Sequence, residues 1–169
     1  MRLADYTDYS LRVLMYCATY PDRRITIADL ADDLELSKNH LMKIVNDLAR
    51  RGLVTTTRGR GGGLRLAGDP REIRIGDIVR GTESDFRLVE CFGEGITSCT
   101  LGASCRLKSI FAGALQAYFD SLDQHTLADL VPVDFRPTRG TSAHEPGAVA
   151  PVAHAAARRE LAGQGQDCA

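Results

Sequence analysis

The sequence predicts a mainly α-helical fold with a small β wing, in which a winged helix-turn-helix domain is followed by a long dimerisation helix. Three observations predict it: two short amphipathic helices joined by a tight turn, a glycine-rich hairpin directly after them, and a later helix with an unbroken apolar seam. The expected organisation is the winged domain at 1–80, a linker and cysteine loop at 81–106, the dimerisation helix and a short terminal helix at 107–131, and a mostly disordered tail at 132–169.

The first helix is predicted over residues 6–20 from its apolar period. Leu11 and Leu14 lie three positions apart on one face, and a proline follows the helix. Cys17 belongs to the same apolar face, so we expect it to be a core residue. Asp8 lies in the first turn, where its charge interacts favourably with the helix N-terminus.

Two helices over residues 27–34 and 38–51 form the helix-turn-helix pattern. Thr26 and Ser37 precede them as N-caps. The second helix has an inward stripe of Leu41, Ile44, Val45 and Leu48, and its predicted outward residues are Lys38, Asn39, His40, Lys43, Asn46 and Asp47. Its N-terminal turn is rich in groups that reach phosphates or base edges, which predicts DNA contacts from Ser37, Lys38, Asn39, His40 and Lys43.

A hairpin is predicted from residues 53–57 and 64–66, with the intervening glycines supplying the turn. The glycine run is not a phosphate-cradling nucleotide loop, because it does not follow a strand and open a helix. A hairpin directly after a helix-turn-helix is a wing. Arg58 and Arg60 at its tip are expected to enter a minor groove or contact the DNA backbone.

Charge and composition narrow the function classes further. Residues 1–80 carry 14 Lys and Arg against 11 Asp and Glu. This excess of positive charge is small, and it favours a polyanionic partner because much of it lies near the hairpin. No Ser–His–Asp, paired-carboxylate or nucleotide-loop constellation presents itself, so we expect no enzyme. The absence of a long apolar run or a signal-peptide core predicts a cytoplasmic protein with no membrane segment.

The cysteines suggest a metal centre. Cys91, Cys99 and Cys105 fall within fifteen residues, among small and polar residues that lack an apolar period. Three thiolates in one loop can converge on a soft metal, and the first hypothesis is an iron–sulfur cluster. A structural zinc ion is an alternative, although the spacing lacks a Cys-x-x-Cys knuckle. A thiol-redox or electron-transfer enzyme is a third, and it leaves the helix-turn-helix and basic hairpin unexplained.

The long helix begins at Arg106. Its apolar seam comprises Leu107, Ile110, Phe111, Ala114, Leu115, Tyr118, Phe119 and Leu122. A small winged domain has little core to cover such a seam, so we expect a homodimer with two-fold symmetry through this helix. Burial against the first helix of the same chain is the alternative. Thr126 is expected to cap a last short helix over residues 127–131.

Several stretches together carry a family resemblance. They are Met1-Arg-Leu with Tyr6-Thr-Asp-Tyr9, Ser37-Lys-Asn-His-Leu-Met-Lys-Ile-Val45, Arg58-Gly-Arg-Gly-Gly-Gly63, Ile73-Arg-Ile-Gly-Asp-Ile-Val79, the three clustered cysteines, and Thr126-Leu-Ala-Asp-Leu-Val131. Over residues 1–131 the chain resembles the NsrR-type nitric-oxide-sensitive transcriptional repressors, in a winged-helix superfamily that includes IscR and RirA. The resemblance implies a repressor that binds a double-stranded DNA operator and releases it on nitrosylation of an iron–sulfur cluster.

The same resemblance implies a set of cluster ligands: Cys91, Cys99 and Cys105, with Asp8 donated by the other subunit. The IscR branch uses a histidine shortly after the third cysteine, whereas here none appears until His125, which favours a 4Fe–4S cluster over a 2Fe–2S cluster. One departure is that seven residues separate the first two cysteines, where the better-known NsrR types have five. This longer loop leaves an iron-responsive repressor, similar to RirA, as the alternative function.

Overall fold

The computed structural model describes residues 2–92 and 105–131, and both segments fall within one compact unit. The elements, in chain order, are α1 (Asp5–Thr19), α2 (Ile27–Leu34), α3 (Lys38–Arg50), β1 (Val54–Thr57), β2 (Gly63–Leu66), α4 (Ile75–Thr82), a 3-10 helix (Glu90–Phe92), α5 (Arg106–Asp123) and a second 3-10 helix (Leu127–Leu130). The predicted fold class, mainly helical with a small antiparallel β wing, is confirmed. The predicted tail at 132–169 lies outside the described residues.

Local capping defines the helix-turn-helix. The Thr26 hydroxyl accepts a hydrogen bond from the Asp29 backbone N–H at 3.1 Å, and the Asp29 carboxylate accepts one from the Thr26 N–H at 2.9 Å. Ser37 caps α3 by accepting from the His40 N–H at 3.2 Å. Between the helices, Glu35 has a φ of 55°, the left-handed conformation that ends α2 and turns the chain. The predicted N-caps of the two helix-turn-helix helices, Thr26 and Ser37, are therefore confirmed.

The face of α1 that enters the core agrees only in part with the predicted one. Of the predicted apolar residues, Leu14 and Cys17 are fully buried, whereas Leu11 is only partly buried. The buried residues of α1 are Thr7, Ser10, Val13, Leu14, Tyr16 and Cys17. The two hydroxyl residues, Thr7 and Ser10, are tolerated in the core because both hydroxyl groups donate hydrogen bonds within the protein. The Ser10 hydroxyl, for example, donates to the Tyr6 carbonyl at 2.7 Å. An apolar period alone cannot detect such positions. The prediction that Cys17 is a core residue is confirmed.

The wing is a two-stranded antiparallel hairpin in which Val54 pairs with Leu66 and Thr57 pairs with Gly63. Of its side chains, only Val54 and Leu64 are buried. An isolated bridge from Ile25 to Leu64 extends the pairing to the segment before α2, with backbone N···O distances of 3.1 and 2.7 Å. The hairpin is therefore attached to the helical core along its β2 edge.

The C-terminal part of the described chain returns to the helical core. Leu127 is fully buried, and its N–H donates to the Ile73 carbonyl at 2.8 Å. Phe119 of α5 meets Phe86 edge-on with ring centroids 4.9 Å apart, and Arg80 of α4 lies 4.5 Å above the same Phe119 ring. The last turn of α4 extends past the predicted boundary at residue 80, and both α1 and α5 pack against α4.

The apolar seam of α5 divides into two parts. Its last turns pack against the core through Tyr118, Phe119 and Leu122. Its first turns are open, since Leu107 is 53% exposed and Ile110 is 64% exposed. The seam is thus partly an intramolecular contact, mainly with α4 rather than with α1, and partly a free apolar surface. No helix in residues 2–92 or 105–131 is long and apolar enough to cross a membrane.

Candidate DNA-binding surface and metal ligands

The first turn of α3 gathers most of the residues that the sequence predicts to contact DNA. Ser37, Lys38, Asn39 and His40 are consecutive and exposed, and Lys43 is exposed one turn further on. The Ser37 hydroxyl oxygen accepts the hydrogen bond that caps the helix, so the hydroxyl proton can still be donated to another acceptor. The free N–H groups at a helix N-terminus also favour negatively charged groups, including phosphates. The arrangement is suited to contact a polyanion, and the role of each residue stays a prediction.

Asp47 was predicted to face outward on α3, and this is wrong. Its side chain is 18% exposed, accepts a hydrogen bond from the Tyr6 hydroxyl at 2.8 Å and pairs with Arg51 Nε at 2.7 Å. The hydrogen bonds from Arg51 and Tyr6 hold the pKa of Asp47 below its usual range. Burial and the contact with Asp47 raise the pKa of Tyr6 to about 12. Asp47 therefore attaches α3 to α1 instead of contributing to the exposed surface.

The wing presents Arg58 and Arg60 as exposed side chains on either side of Gly59. Gly59 has a φ of 95° and Gly61 a φ of 74°, conformations that favour glycine and that form the tight tip. Arg24, before α2, donates from Nη1 to the Gly61 carbonyl at 2.7 Å. Through this hydrogen bond, Arg24 stabilises the tip of the wing. Sequence reasoning missed it, because nothing local connects it to a partner 37 positions away.

The three metal-ligand candidates in the described residues lie on three different elements. Cys105 is the partly buried N-cap residue of α5, and Cys91 lies in the Glu90–Phe92 helix. Cys99 lies outside the described residues. Asp8, in the first turn of α1, is 43% exposed and pairs through Oδ2 with Arg12 Nη2 at 2.8 Å. In the part of the chain that the structure describes, no three potential ligands gather into one site, so the ligand set stays a prediction.

Glu83 is a further functional candidate, in a segment that the sequence predicts only as a linker. Its Oε2 accepts from the Ala4 N–H at 2.8 Å and from the Thr7 hydroxyl at 3.1 Å. Glu83 therefore acts as an N-terminal cap of α1 from a distant part of the chain, with its negative charge at the positive end of that helix. The contact connects the turn that carries Asp8 to the end of α4, close to where the chain continues toward the cysteines.

Comparisons with known proteins agree with this architecture. A family model described as "Rrf2: Iron-dependent Transcriptional regulator" matches residues 3–132. The HTH-type transcriptional regulator NsrR of Bacillus licheniformis is 49% identical over 132 residues, which cover 78% of this chain and 92% of that protein. The NsrR of Bacillus subtilis is 48% identical over 132 residues, covering 78% of this chain and 90% of the relative.

Solved structures show the same fold. A putative transcriptional regulator from Listeria innocua superposes with a TM-score of 0.65 at 30% identity, covering 86% of this chain and 97% of that one. CymR of Staphylococcus aureus superposes with a TM-score of 0.61 at 26% identity, covering 78% of this chain and 100% of its own.

Proposed function

The chain belongs to the Rrf2 family of iron-dependent transcriptional regulators, and we propose that it is a repressor that senses nitric oxide through an iron–sulfur cluster and then releases its operator DNA. The observation that carries the DNA-binding part is the exposed, capped first turn of α3, together with a hairpin tip that presents two exposed arginines. The similarity to NsrR regulators at up to 49% identity supports the sensing part.

Operator binding follows from the two exposed elements. The first turn of α3 enters the major groove, where Asn39 and His40 meet base edges, and Arg58 and Arg60 contact the backbone or the minor groove alongside. The open first turns of α5, with Leu107 and Ile110, provide the apolar surface that a second copy covers. A two-fold dimer places two α3 helices on half-sites about one DNA turn apart.

The residues fit an iron–sulfur cluster by their chemistry. Cys105 makes no side-chain hydrogen bond in the cap of α5, so its sulfur remains available as a ligand. Cys91 and Cys99 complete the proposed thiolate set, with Asp8 of the other subunit as an exchangeable oxygen ligand. The 4Fe–4S form is favoured over the 2Fe–2S form. When bound, the cluster supplies iron that reacts with nitric oxide.

The contacts around Asp8 explain how ligation of the cluster by Asp8 affects the DNA-binding surface. Its ion pair with Arg12 is exposed, and such pairs contribute at most about 1 kcal/mol, so the carboxylate is easily exchanged. The turn that carries Asp8 is tied to α3 by Tyr6 and to the end of α4 by Glu83. Restraining this turn through Asp8 therefore restrains α3. A coupling of about 1–3 kcal/mol corresponds to about 5–150-fold in operator affinity.

An iron-responsive repressor is the second candidate function. The family description names iron dependence, and the seven residues between Cys91 and Cys99 differ from the spacing of the better-known nitric-oxide sensors. In this version, loss of iron rather than reaction with nitric oxide releases the operator. A structural zinc ion held by the same ligands is a third possibility and predicts a colourless protein.

The experiment that tests the proposal is an absorbance titration of the anaerobically purified protein with nitric oxide, with operator affinity measured at each step and at constant salt. A visible band that changes at low stoichiometry, while affinity falls in parallel, is the expected result. Equal affinity of the cluster-loaded and cluster-free protein contradicts the proposal. A coloured protein that ignores nitric oxide but loses affinity on iron chelation identifies the iron-responsive function.

The first turn of α1 offers a matched pair of variants for the same titration. Asp5 and Asp8 both form exposed ion pairs with an arginine, Asp5 with Arg2 at 2.7 Å and Asp8 with Arg12 at 2.8 Å. We expect Asp8→Ala to alter the visible spectrum and the response to nitric oxide, and Asp5→Ala to leave both unchanged. If the two variants behave alike, Asp8 is not a ligand.

A further inference from the structure

Met42 is an apolar side chain in an otherwise polar part of the molecule. It is 46% exposed, and the other exposed large apolar residues in the described segments are Leu107 and Ile110, both on α5. Isolated exposed apolar residues are common and need no explanation by themselves. The position of Met42 is what matters, because it lies on the helix that the proposed function places in the major groove.

The neighbours of Met42 on α3 are polar. On a helix surface, residues three and four positions apart are adjacent, which puts Lys38 and Asn39 one turn before Met42 and Asn46 one turn after it. All three are exposed, as is the adjacent Lys43. The helix buries a separate set of side chains, namely Leu41, Ile44, Val45 and Leu48. Met42 therefore belongs to the surface of α3 and not to its core face.

The chemistry of this neighbourhood favours DNA over a protein partner. A protein-docking site needs a contiguous apolar patch, and here exposed Lys38, Asn39 and Asn46 surround a single methionine. In the major groove, by contrast, the apolar group that a base edge presents is the C5 methyl of thymine. The amide of an asparagine pairs with adenine N6 and N7 in the same groove. One A·T pair or two neighbouring pairs could therefore engage both kinds of side chain.

We propose that Met42 is a specificity-determining residue that contacts the C5 methyl group of a thymine in each operator half-site. This inference rests on the proposed DNA binding and extends it to a residue outside the predicted contact set of Ser37, Lys38, Asn39, His40, Lys43, Arg58 and Arg60. An unbranched, polarizable methionine side chain adapts well to such a methyl group. It also makes no hydrogen bond that would favour a G·C pair.

The size of the effect follows from the area that one methyl group removes from water. Burying one such group is worth about 0.8 kcal/mol, which is about fourfold in affinity. A two-fold dimer has two equivalent half-sites, so removing the methyl group from both should weaken binding by about 15-fold.

The experiment begins with selection of binding sites for the cluster-loaded, full-length protein from a random-sequence duplex pool. Each thymine of the selected site is then replaced by uracil, which lacks only the C5 methyl group, at symmetric positions in both half-sites. Affinities are measured for the original protein, for Met42→Ala and for Lys43→Ala. The lysine variant is the matched control, because it removes a neighbouring exposed contact from the same helix without removing the methionine.

At one thymine position, we expect uracil to lower the DNA affinity of the original protein by about 15-fold and that of Lys43→Ala by the same factor. The DNA affinity of Met42→Ala should not change at this position. If uracil has the same effect on the original protein and on Met42→Ala at every position, the inference about Met42 is overturned while the proposed function stands. If the pool yields no enriched site at all, the proposed DNA binding fails and the inference fails with it.

Discussion

At the scale of single residues, the attachment of α3 to α1 depends on one carboxylate. Asp47 accepts from Tyr6 and from Arg51, and it also lies 3.1 Å from Arg50 Nη2. Hydrogen bonds to a charged acceptor that is largely shielded from water contribute more than those between neutral groups. The orientation of the recognition helix therefore depends on side chains that do not face the predicted DNA surface.

The Tyr6→Phe variant tests this attachment. Because it removes one hydrogen bond to a charged acceptor, we expect the free energy of unfolding at neutral pH to fall by about 1.5–3 kcal/mol. Since the folded-state pKa of Asp47 is lowered, the stabilisation is present above the unfolded pKa of about 3.9 and is lost as the pH falls through the folded value. The measurement is urea unfolding at several pH values.

The control for this variant is Tyr20→Phe, since the Tyr20 ring packs on Tyr16 with centroids 5.0 Å apart and the donors to Asp47 are Tyr6, Arg50 and Arg51. A difference between Tyr6→Phe and the original protein that persists unchanged below the carboxyl range would contradict the role assigned to Asp47. A loss equal to that of the control would also contradict it.

Arg60, at the wing tip, is expected to contribute to the salt dependence of operator affinity. Each phosphate contact contributes about 0.9 to the slope of log affinity against log salt concentration. In a dimer, Arg60→Ala should therefore weaken operator binding and reduce that slope by about 2. Arg71→Ala is the control, because Arg71 is exposed on the turn between the hairpin and α4, outside the predicted contact set. An unchanged slope for the Arg60 variant would remove this residue from the phosphate contacts.

At the scale of elements, the wing is positioned by its supports as well as by its own turn. The Ile25 bridge joins β2 to the segment before α2, and Arg24 fixes the tip through the Gly61 carbonyl. Gly62 lies in the crowded part of the turn: a Cβ atom there would overlap the Thr57 carbonyl oxygen and lie 2.8 Å from that of Gly59. These neighbours are backbone atoms, which cannot move away without changing the turn.

The Gly62→Ala variant should therefore distort the wing tip. We expect the free energy of unfolding to fall by about 1–3 kcal/mol, the usual result of overpacking, and operator affinity to fall with it because Arg58 and Arg60 are displaced. Gly68→Ala is a close control, since its Cβ would meet nothing within 4 Å and its φ is not in the left-handed region. Equal affinities for the two variants would show that the tip geometry does not matter for binding.

At the scale of the whole molecule, α5 contributes both to the core and to an exposed apolar surface. Its C-terminal turns are part of the core, held by Phe119 against Phe86 and by Arg80, whose Nη1 donates to Asp123 Oδ1 at 2.8 Å. Its N-terminal turns expose Leu107 and Ile110 beside Cys105. A second copy that covers the open turns would thus be anchored to the winged domain through the same helix.

Ile110→Asp tests that arrangement. A charge in the open apolar surface should convert a dimer into monomers without unfolding the chain, because Ile110 is not part of the core. Ser109→Asp adds the same charge one position away, on an exposed residue outside the apolar seam, and should leave the dimer intact. Sedimentation velocity measures both, with circular dichroism confirming the helices. Dimers of unchanged stability in the Ile110 variant would exclude this surface as the interface.

Local sequence signals predicted much of the fold. The caps at Thr26 and Ser37 and the buried stripe of α3 follow from contacts within one or two helical turns, and the structure confirms them. The glycine run predicted the hairpin for the same reason, since the tip needs residues that adopt positive φ. For the candidate site, the exposed start of α3 and the two wing arginines were also predictable. Their binding roles stay predictions, as do those of Cys91, Cys99, Cys105 and Asp8.

Local signals in the sequence are enough to predict the helix-turn-helix, the hairpin, the long helix and their order, because helix periodicity, capping and turn chemistry act over a few neighbouring residues. Packing in the folded chain, by contrast, turns Asp47 inward to Tyr6, brings Glu83 to the start of α1 and Arg24 to the wing, and divides the seam of α5 between core and open surface. Each of these contacts joins residues far apart in the chain, and their partners are chosen by packing, which no local pattern records.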